Sequence, residues 1–317
     1  MKYYIGVDIG GTKIAVVKGN ERGEILEKIR FENKVSPKEA IARIVQAVKE
    51  MGAAEAVGLS CGGPLDAPRG LILSPPNLPG WDEIPIVAIM EEATGIPSYL
   101  CNDADACALA EWRFGAGAGC RNMVFLTFGT GFGAGLILDG RLYSGTNGGA
   151  GEIGHLRLEH FGPVGYGKRG SMEGFVSGGG IAQLARTAAL EQLQVGKTTA
   201  YCKSHAELAD VTAQTVAVAA KAGDPTAIEV YRLCGEMLGR GLSLLIDLFN
   251  PERIVIGSIY VRASELLIPT MRETIAAEAL PGNAAVCEIL PAVLGESLGD
   301  VAALSIAIDH KEREKTV

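Results

Sequence analysis

One pattern occurs twice in this chain of 317 residues, and it restricts the fold more than any other feature. Near the start, the apolar runs of "KYYIGVDI" and "TKIAVVKG" are joined through Gly10, Gly11 and Thr12; later, "NMVFLTF" and "FGAGLILDG" are joined through Gly129, Thr130 and Gly131. Apolar runs flanking such a corner read as strands, yet a hairpin needs only a two-residue turn. The repeat of strand, Gly/Thr corner, strand and polar turn predicts two similar sheets whose corners occupy equivalent places and face each other across a cleft.

A corner with almost no side chains leaves backbone N–H groups within reach of a ligand. That is what a phosphate requires, and two such corners can clamp a chain of phosphates from both sides. Glycine also serves simply to provide the backbone angles of a tight turn, but the duplication favours the ligand reading. Neither corner is a Walker A loop, and the one literal G-x-G-x-x-G, Gly149 to Gly154, follows a loop rather than a strand, so it is discounted. Asp8 ends the first strand, where it could hold Mg²⁺ through water; strand-end aspartates also form ordinary turns.

The remaining pattern alternates strands with helices and gives an α/β chain. "NERG" turns the meander into a third strand, "EILEKIRF". Ser36 as N-cap, Pro37 at the first helical position and Glu39 completing a capping box predict a helix whose apolar stripe is Ile41, Ile44, Val45, Val48 and Met51. "AEAVGLS" and "PSYLC" read as buried strands, and "DADACALAEW" as a helix opening directly after the second. The Gly/Ala-rich "FGAGAGC" suits a domain boundary. Asp224-Pro225 opens a long helix that Asn250-Pro251 stops, "RIVIGS" is a strand, and "LGDVAALSIAIDH" is a helix expected to pack back on the first domain. The expected domains are 1–114 plus a C-terminal helix at about 298–317, and 115–297.

Asn102-Asp103 falls where a buried strand hands over to a helix, the edge of an α/β sheet where ligands collect. Capping by Asn102 and a favourable helix dipole for Asp103 would account for the same residues, and the two roles are compatible. Glu152 and His155 in "GEIGH", and Glu173 in "GSMEG", taken alone read as solvated surface residues.

Composition excludes several partners. Lys and Arg number 29 against 37 Asp and Glu, a formal net charge of -8, and no basic run tracks a phosphate backbone, which argues against nucleic acid. No basic n-region with an apolar core opens the chain and no apolar stretch is long enough to span a bilayer, so a cytoplasmic protein without a membrane partner is expected. The seven cysteines include no C-x-x-C pair and are expected to be reduced thiols in apolar surroundings.

Together the motifs resemble the ROK family of sugar kinases and sugar-responsive repressors, within the actin-like ATPase superfamily. The likeness runs through "DIGGTK", "GGPLD", "PPNLPGW", "ND" at 102, "FGTGFGAG", "AGEIGH", an E-x-x-x-SG element at 173 to 178 and "NPERIVIG". It implies two ribonuclease H-like domains with an interdomain cleft, ATP between them, Mg²⁺ held by Asp8 through water, and a homodimer. By the same resemblance, Gly10, Gly11, Thr12, Lys13, Thr130 and Gly131 bind the phosphates, and the adenosine lies near Gly257-Ser258. Asp103 is the implied base that takes the hydroxyl proton of a hexose; Asn102, Asp103, Glu152, His155 and Glu173 are implied to bind the sugar. Glucose, mannose, N-acetylated amino sugars, fructose and allose are all used among relatives. The competing expectations are a non-catalytic sugar sensor and a ROK-type regulator lacking its DNA-binding domain. The intact "DIGGTK", "ND" and "GTG" oppose the sensor, and the seven residues ahead of Asp8 and the acidic charge oppose the regulator.

One segment departs from the family. After "GH" it usually carries C-x-C-G-x-x-G-C-x-E, whose cysteines and histidine bind a structural zinc. This chain reads "VGYGKRGSME", with Val164, Tyr166 and Ser171 at the cysteine positions. No zinc is expected, and His160 cannot replace three thiolates. Tyr166, Ser171 and backbone carbonyls are the expected partners that orient His155 instead.

Overall fold

The computed structural model describes residues 1–315; residues 316–317 of the expected C-terminal helix lie outside the described residues. The meander forms as β1 (Tyr3–Ile9), β2 (Lys13–Asn20) and β3 (Ile25–Glu32), all antiparallel. α1 (Pro37–Met51) follows, with the Ser36 hydroxyl accepting from the Glu39 N–H at 3.3 Å. The reciprocal half of the expected capping box is absent because the Glu39 carboxylate pairs with Arg43 one turn on, at 2.5 Å. α1 buries Ile41, Ile44, Val48 and Met51 against the sheet. Each large apolar side chain taken from water contributes about 1.5–3 kcal/mol.

β4 (Val57–Cys61) is followed by the short hairpin β5 (Leu65–Asp66) and β6 (Leu71–Ile72), α2 (Ile86–Thr94), β7 (Ser98–Asn102) and α3 (Asp103–Phe114). β4 lies parallel to β1 and β7 parallel to β4, giving a five-stranded sheet ordered β3-β2-β1-β4-β7. β8 (Met123–Phe128), β9 (Phe132–Leu138) and β10 (Arg141–Tyr143) repeat the opening pattern, with β11 (Val164–Gly165) and β12 (Lys168–Arg169) as a small hairpin beyond them. The helices α4 (Met172–Phe175), α5 (Gly178–Gln194), α6 (Ala213–Lys221) and α7 (Pro225–Phe249) precede β13 (Arg253–Ile256). α8 (Ile259–Glu278), α9 (Pro281–Ala284), β14 (Glu288–Pro291) and α10 (Leu298–Arg313) complete the chain. The second five-stranded sheet is ordered β10-β9-β8-β13-β14. α7 has the ends its sequence predicts: Asp224 caps the Ala227 N–H at 2.9 Å, and Asn250 ends it in the left-handed conformation with φ 44°.

The chain divides into two compact units: Met1–Arg121 with Gly135–Ala150 and the stretch from Val293 onward, and Asn122–Ala134 with Gly151–Ala292. The first unit thus takes in residues 115–121, 135–150 and 293–297, which the sequence pattern assigns to the larger domain. Side-chain packing explains part of this: a Cβ on Gly135 would lie 2.6 Å from the Ala108 Cβ of α3, and the Ser144 hydroxyl donates to Asp105 at 3.2 Å.

α10 returns to the first sheet on the face opposite α1. The approach is so close that a Cβ on Gly6 would lie 2.5 Å from the Leu304 nitrogen, and one on Gly58 2.2 Å from the Ala303 oxygen. Arg113 of α3 secures the buried Asp309 of α10 at 2.6 Å. Glu111 is fully buried and its carboxylate accepts three backbone N–H groups, from Ala116 at 2.8 Å and from Val293 and Leu294 at 3.0 Å each. It ties the segment after α3 to the segment leading into α10. Glu111→Ala would orphan those donors at about 1–3 kcal/mol apiece. The expected outcome is a loss of about 3–5 kcal/mol in the unfolding of the first unit, with a smaller loss for Glu111→Gln, measured by urea titration.

Candidate active site

β1, β4 and β7 end in register: Ile9 pairs with Cys61, and Cys61 with Asn102. Their carboxyl ends form one edge of the first sheet, the side on which open α/β sheets receive ligands. The Gly10–Thr12 corner leaves β1 there. The Gly10 N–H donates to the Lys13 carbonyl at 3.1 Å, and the Asn33 amide holds the Gly10 carbonyl at 2.8 Å. A Cβ on Gly11 would come 2.4 Å from the Asn77 oxygen, so only glycine fits. Thr12 and Lys13 are exposed at its tip.

Asn102 does cap α3: its Oδ1 accepts the Ala104 N–H at 2.9 Å, and Asp103 Oδ1 accepts the same N–H at 2.8 Å. With its oxygen committed to the cap, Asn102 presents its Nδ2 as a donor. The Gly62-Gly63 turn lies against both residues, its missing Cβ atoms 3.7 Å from Asp103 Oδ2 and 3.5 Å from Asn102 Nδ2. This turn came from the "GGPLD" motif, to which sequence reasoning attached no role. Asp103 is open to solvent, yet the surrounding protein mass pushes its carboxyl above the usual carboxylate range, against the lowering effect of the Ala104 N–H and its own.

Asp8 sits one residue inside the same edge. Burial pushes its pKa up to about 6, with the carboxylates of Asp103 and Asp300 adding to the rise and Lys28 and Arg30 opposing it. Lys28 is itself paired with Asp300. An anion this poorly compensated suits a divalent cation, and the donor is a hard oxygen of the kind Mg²⁺ prefers. These residues fit Mg²⁺.

The second unit carries Thr130, Gly131, Glu152, His155, Glu173 and Gly257. Glu173 reaches the corner: its Oε2 accepts the Phe132 N–H at 3.1 Å and would lie 2.9 Å from a Cβ on Gly131. Its own Cβ lies 3.5 Å from where Gly154 would place one, in the turn that exposes Glu152 and His155. Gly257 ends β13 beside β8, its N–H donating to the Leu126 carbonyl at 2.9 Å. Sequence reasoning missed the N-terminus of α5. The Gly178 N–H donates to the Gly129 carbonyl at 2.8 Å, and Ser177 caps Gly180 at 2.9 Å. The signal was the glycine run 178–180, which brings a helix end against the corner, where its dipole favours an anion. A cavity of 760 Å³ opens from Gly129 and Thr130 past Gly179 to Ser258. Corners this bare fit a phosphate chain.

The positions at which the family resemblance implies zinc ligands do not fit the ion here. Ser171 donates to the Gly165 carbonyl at 3.4 Å and caps α4 through the Gly174 N–H at 3.2 Å, so it is not the partner of His155. The Tyr166 ring stands edge-on to His155, centroids 6.4 Å apart. Lys168 donates to the His155 carbonyl at 2.7 Å, and Gln183 holds both the N–H and the carbonyl of Val164, at 3.0 and 2.9 Å. Among the described residues, no group of three or more His, Cys, Asp or Glu side chains is arranged to hold a metal ion. No helix among them is long and apolar enough to cross a membrane.

Two α/β units with glycine corners at their sheet edges, one carrying strand-end carboxylates, define a nucleotide-dependent enzyme of the actin-like ATPase fold. The chain belongs to the ROK family, which it matches over residues 4–310. It is 32% identical to the glucokinase of Thermotoga maritima, over 95% of this chain and 96% of that one. The ROK hexokinase of Thermus thermophilus superposes with a TM-score of 0.81 at 29% identity, covering 99% of each chain. A ROK family glucokinase from Streptomyces griseus, solved in complex with glucose and AMPPNP, gives 0.74 at 30% identity, covering 96% of this chain and 99% of that one.

Asp8 carries a stability consequence of definite sign. Its folded-state pKa lies above the unfolded value, so its burial is free of penalty below about pH 4. Stability is lost as pH rises through about 6. A shift of about two units is worth at most about 3 kcal/mol, less with partial solvent screening. In buffer free of divalent ions, Asp8→Asn should melt above the parent at pH 8, and the difference should vanish near pH 4; thermal melts across that range check it.

Proposed function

We propose that this protein transfers the γ-phosphoryl group of ATP to a hydroxyl of a hexose, glucose being the first to test. The observation that carries the reading is the Asp103 carboxylate: open to solvent, raised in pKa, and held on the strand edge that also carries the Gly10–Thr12 corner. The near-full-length likeness to glucokinases supports it.

Phosphoryl transfer asks a protein mainly to align the acceptor hydroxyl and to neutralise charge. In this reading Asp103 takes the hydroxyl proton, and its raised pKa makes it a stronger base than an ordinary carboxylate. Asn102 offers Nδ2 to a sugar hydroxyl, while Glu152, His155 and Glu173 pair with others. A site built to satisfy each hydroxyl rejects sugars that leave one unpaired. Gly10, Gly11, Thr12, Lys13, Thr130 and Gly131 receive the phosphates, and Gly257 borders the adenosine. Asp8 carries Mg²⁺ through water, and the ion supplies charge neutralisation beside the phosphates when bound. The protein works as a homodimer in the cytoplasm, without structural zinc and without nucleic-acid or membrane partners; the net charge of -8 supports the absence of nucleic acid.

Coupled measurement of ADP release with a panel of hexoses tests the activity, and folded protein giving no release above its ATPase background would refute it. Asp103→Asn is expected to keep the fold and sugar affinity while lowering kcat by about 10²- to 10⁴-fold; near-full kcat at saturating sugar would move the base elsewhere. A zinc-selective chelator that spares Mg²⁺ should leave the rate unchanged. Stoichiometric zinc by elemental analysis, or inactivation by that chelator, would overturn the zinc-free assignment.

A further inference from the structure

The cavity of 760 Å³ in the second unit is lined by three cationic side chains, Arg186, Lys221 and Arg262, and by no carboxylate. Two of the three are engaged by the protein itself. Arg186 donates to the Val211 and Ala209 carbonyls at 3.0 and 3.3 Å. Lys221 is paired with Glu265 at 2.7 Å and donates to the Arg262 carbonyl at 3.1 Å. Arg262 differs. Like Arg186 it has no ion-pair partner among the described residues, but it is exposed, and its guanidinium donates to the Ser258 hydroxyl at 3.2 Å rather than to backbone carbonyls.

That contact places the charge. Ser258 follows Gly257 at the end of β13, and its hydroxyl lies 3.8 Å from where a Cβ on Gly129 would stand, beside the Gly129–Gly131 corner. Ser258 holds φ 55°, ψ -109°, a conformation that costs a non-glycine residue about 1–3 kcal/mol. It precedes α8, whose helical angles break at Ala263 (φ -136°, ψ 22°), so Ile259–Arg262 form a single short turn ahead of the main helix. Within that turn the Arg262 side chain reaches back to the Ser258 hydroxyl, which sets its guanidinium toward the Gly129–Gly131 corner. An anion at the corner would gain a charge-assisted hydrogen bond from this guanidinium.

We propose that Arg262, steadied by Ser258, binds the phosphate chain of the nucleotide donor in the second unit, so that the donor is selected by its charge as well as by its base. The proposal deepens the kinase reading and rests on it for the identity of the anion. The alternative role, a guanidinium that touches the base or ribose, requires that nucleoside affinity fall in step with nucleotide affinity.

The test is equilibrium binding of ADP and of adenosine to the full chain, by calorimetry, for the parent, Arg262→Ala and Arg262→Lys. The expected result is that Arg262→Ala weakens ADP about 10- to 100-fold and adenosine less than about twofold, and that Arg262→Lys recovers part of the ADP affinity. The dependence of ADP affinity on salt should flatten in Arg262→Ala, because one fewer cation meets the phosphates. Equal weakening of ADP and adenosine, or no change in either, would overturn the proposal. The hexose panel run on the parent separates the two readings. A parent that phosphorylates a hexose while ADP binding ignores Arg262 refutes this inference alone. A parent that releases no ADP with any hexose but binds ADP through Arg262 refutes the kinase reading alone, and a parent that binds no nucleotide refutes both.

Discussion

The register of three parallel strands is the constraint on which the first unit depends. Because Ile9, Cys61 and Asn102 stand side by side at the ends of β1, β4 and β7, the Gly10–Thr12 corner, the Gly62-Gly63 turn and the Asn102-Asp103 step open on one edge. A slip of one residue in any strand would turn its side chains to the opposite face and dismantle that edge. The register is enforced from both sides. α1 packs apolar side chains on one face, and α10 presses its backbone onto Gly6 and Gly58 on the other. A larger residue at either glycine would lift α10, and with it Asp300 and the ion pair that Lys28 makes beside Asp8.

Charge at this edge is held in an unstable balance. Asp8, Asp103 and Asp300 gather with Lys28 and Arg30 as the opposing cations, and burial still raises both Asp8 and Asp103. Perturbed carboxylates gather at functional sites, where a charge that a neutral residue would spare the fold is put to use. The two carboxylates are separated by role through their surroundings. Asp8 is drawn inward toward the start of α10, whereas Asp103 opens to solvent at the head of α3, where the Ala104 N–H reaches its oxygen.

In the segment after His155, ordinary contacts engage the positions where the family's motif carries cysteines. Ser171 has become a helix cap, Gln183 clamps both polar atoms of Val164, and Lys168 holds the carbonyl of His155. Each contact is a single neutral or charge-assisted hydrogen bond, individually worth about 0.5–3 kcal/mol. Distributed over several residues, these contacts tie the segment to its neighbours.

Much of this was legible in the sequence because it is local. The two strand–corner–strand repeats, the Ser36 and Asp224 caps, the Asn250 stop and the handover at Asn102 follow from neighbouring residues and backbone periodicity, which tertiary packing did not override. The capping box failed because Arg43, one turn away, competed for Glu39, a contest that pattern alone cannot score. Glu111 was invisible, since a carboxylate in a helix reads as a solvated residue until Val293 and Leu294 arrive from far along the chain to fill its lone pairs. The same holds for the attachment of 135–150 to the first unit, and for the α5 glycines that meet the corner at Gly129. Arg262 is likewise one charge among many in the sequence. Its availability exists only in three dimensions, where, among the described residues, Lys221 pairs with Glu265 and Arg262 with no carboxylate. Residue type and spacing determined which groups could do chemistry; long-range packing decided which of them were already satisfied and which were left facing a ligand.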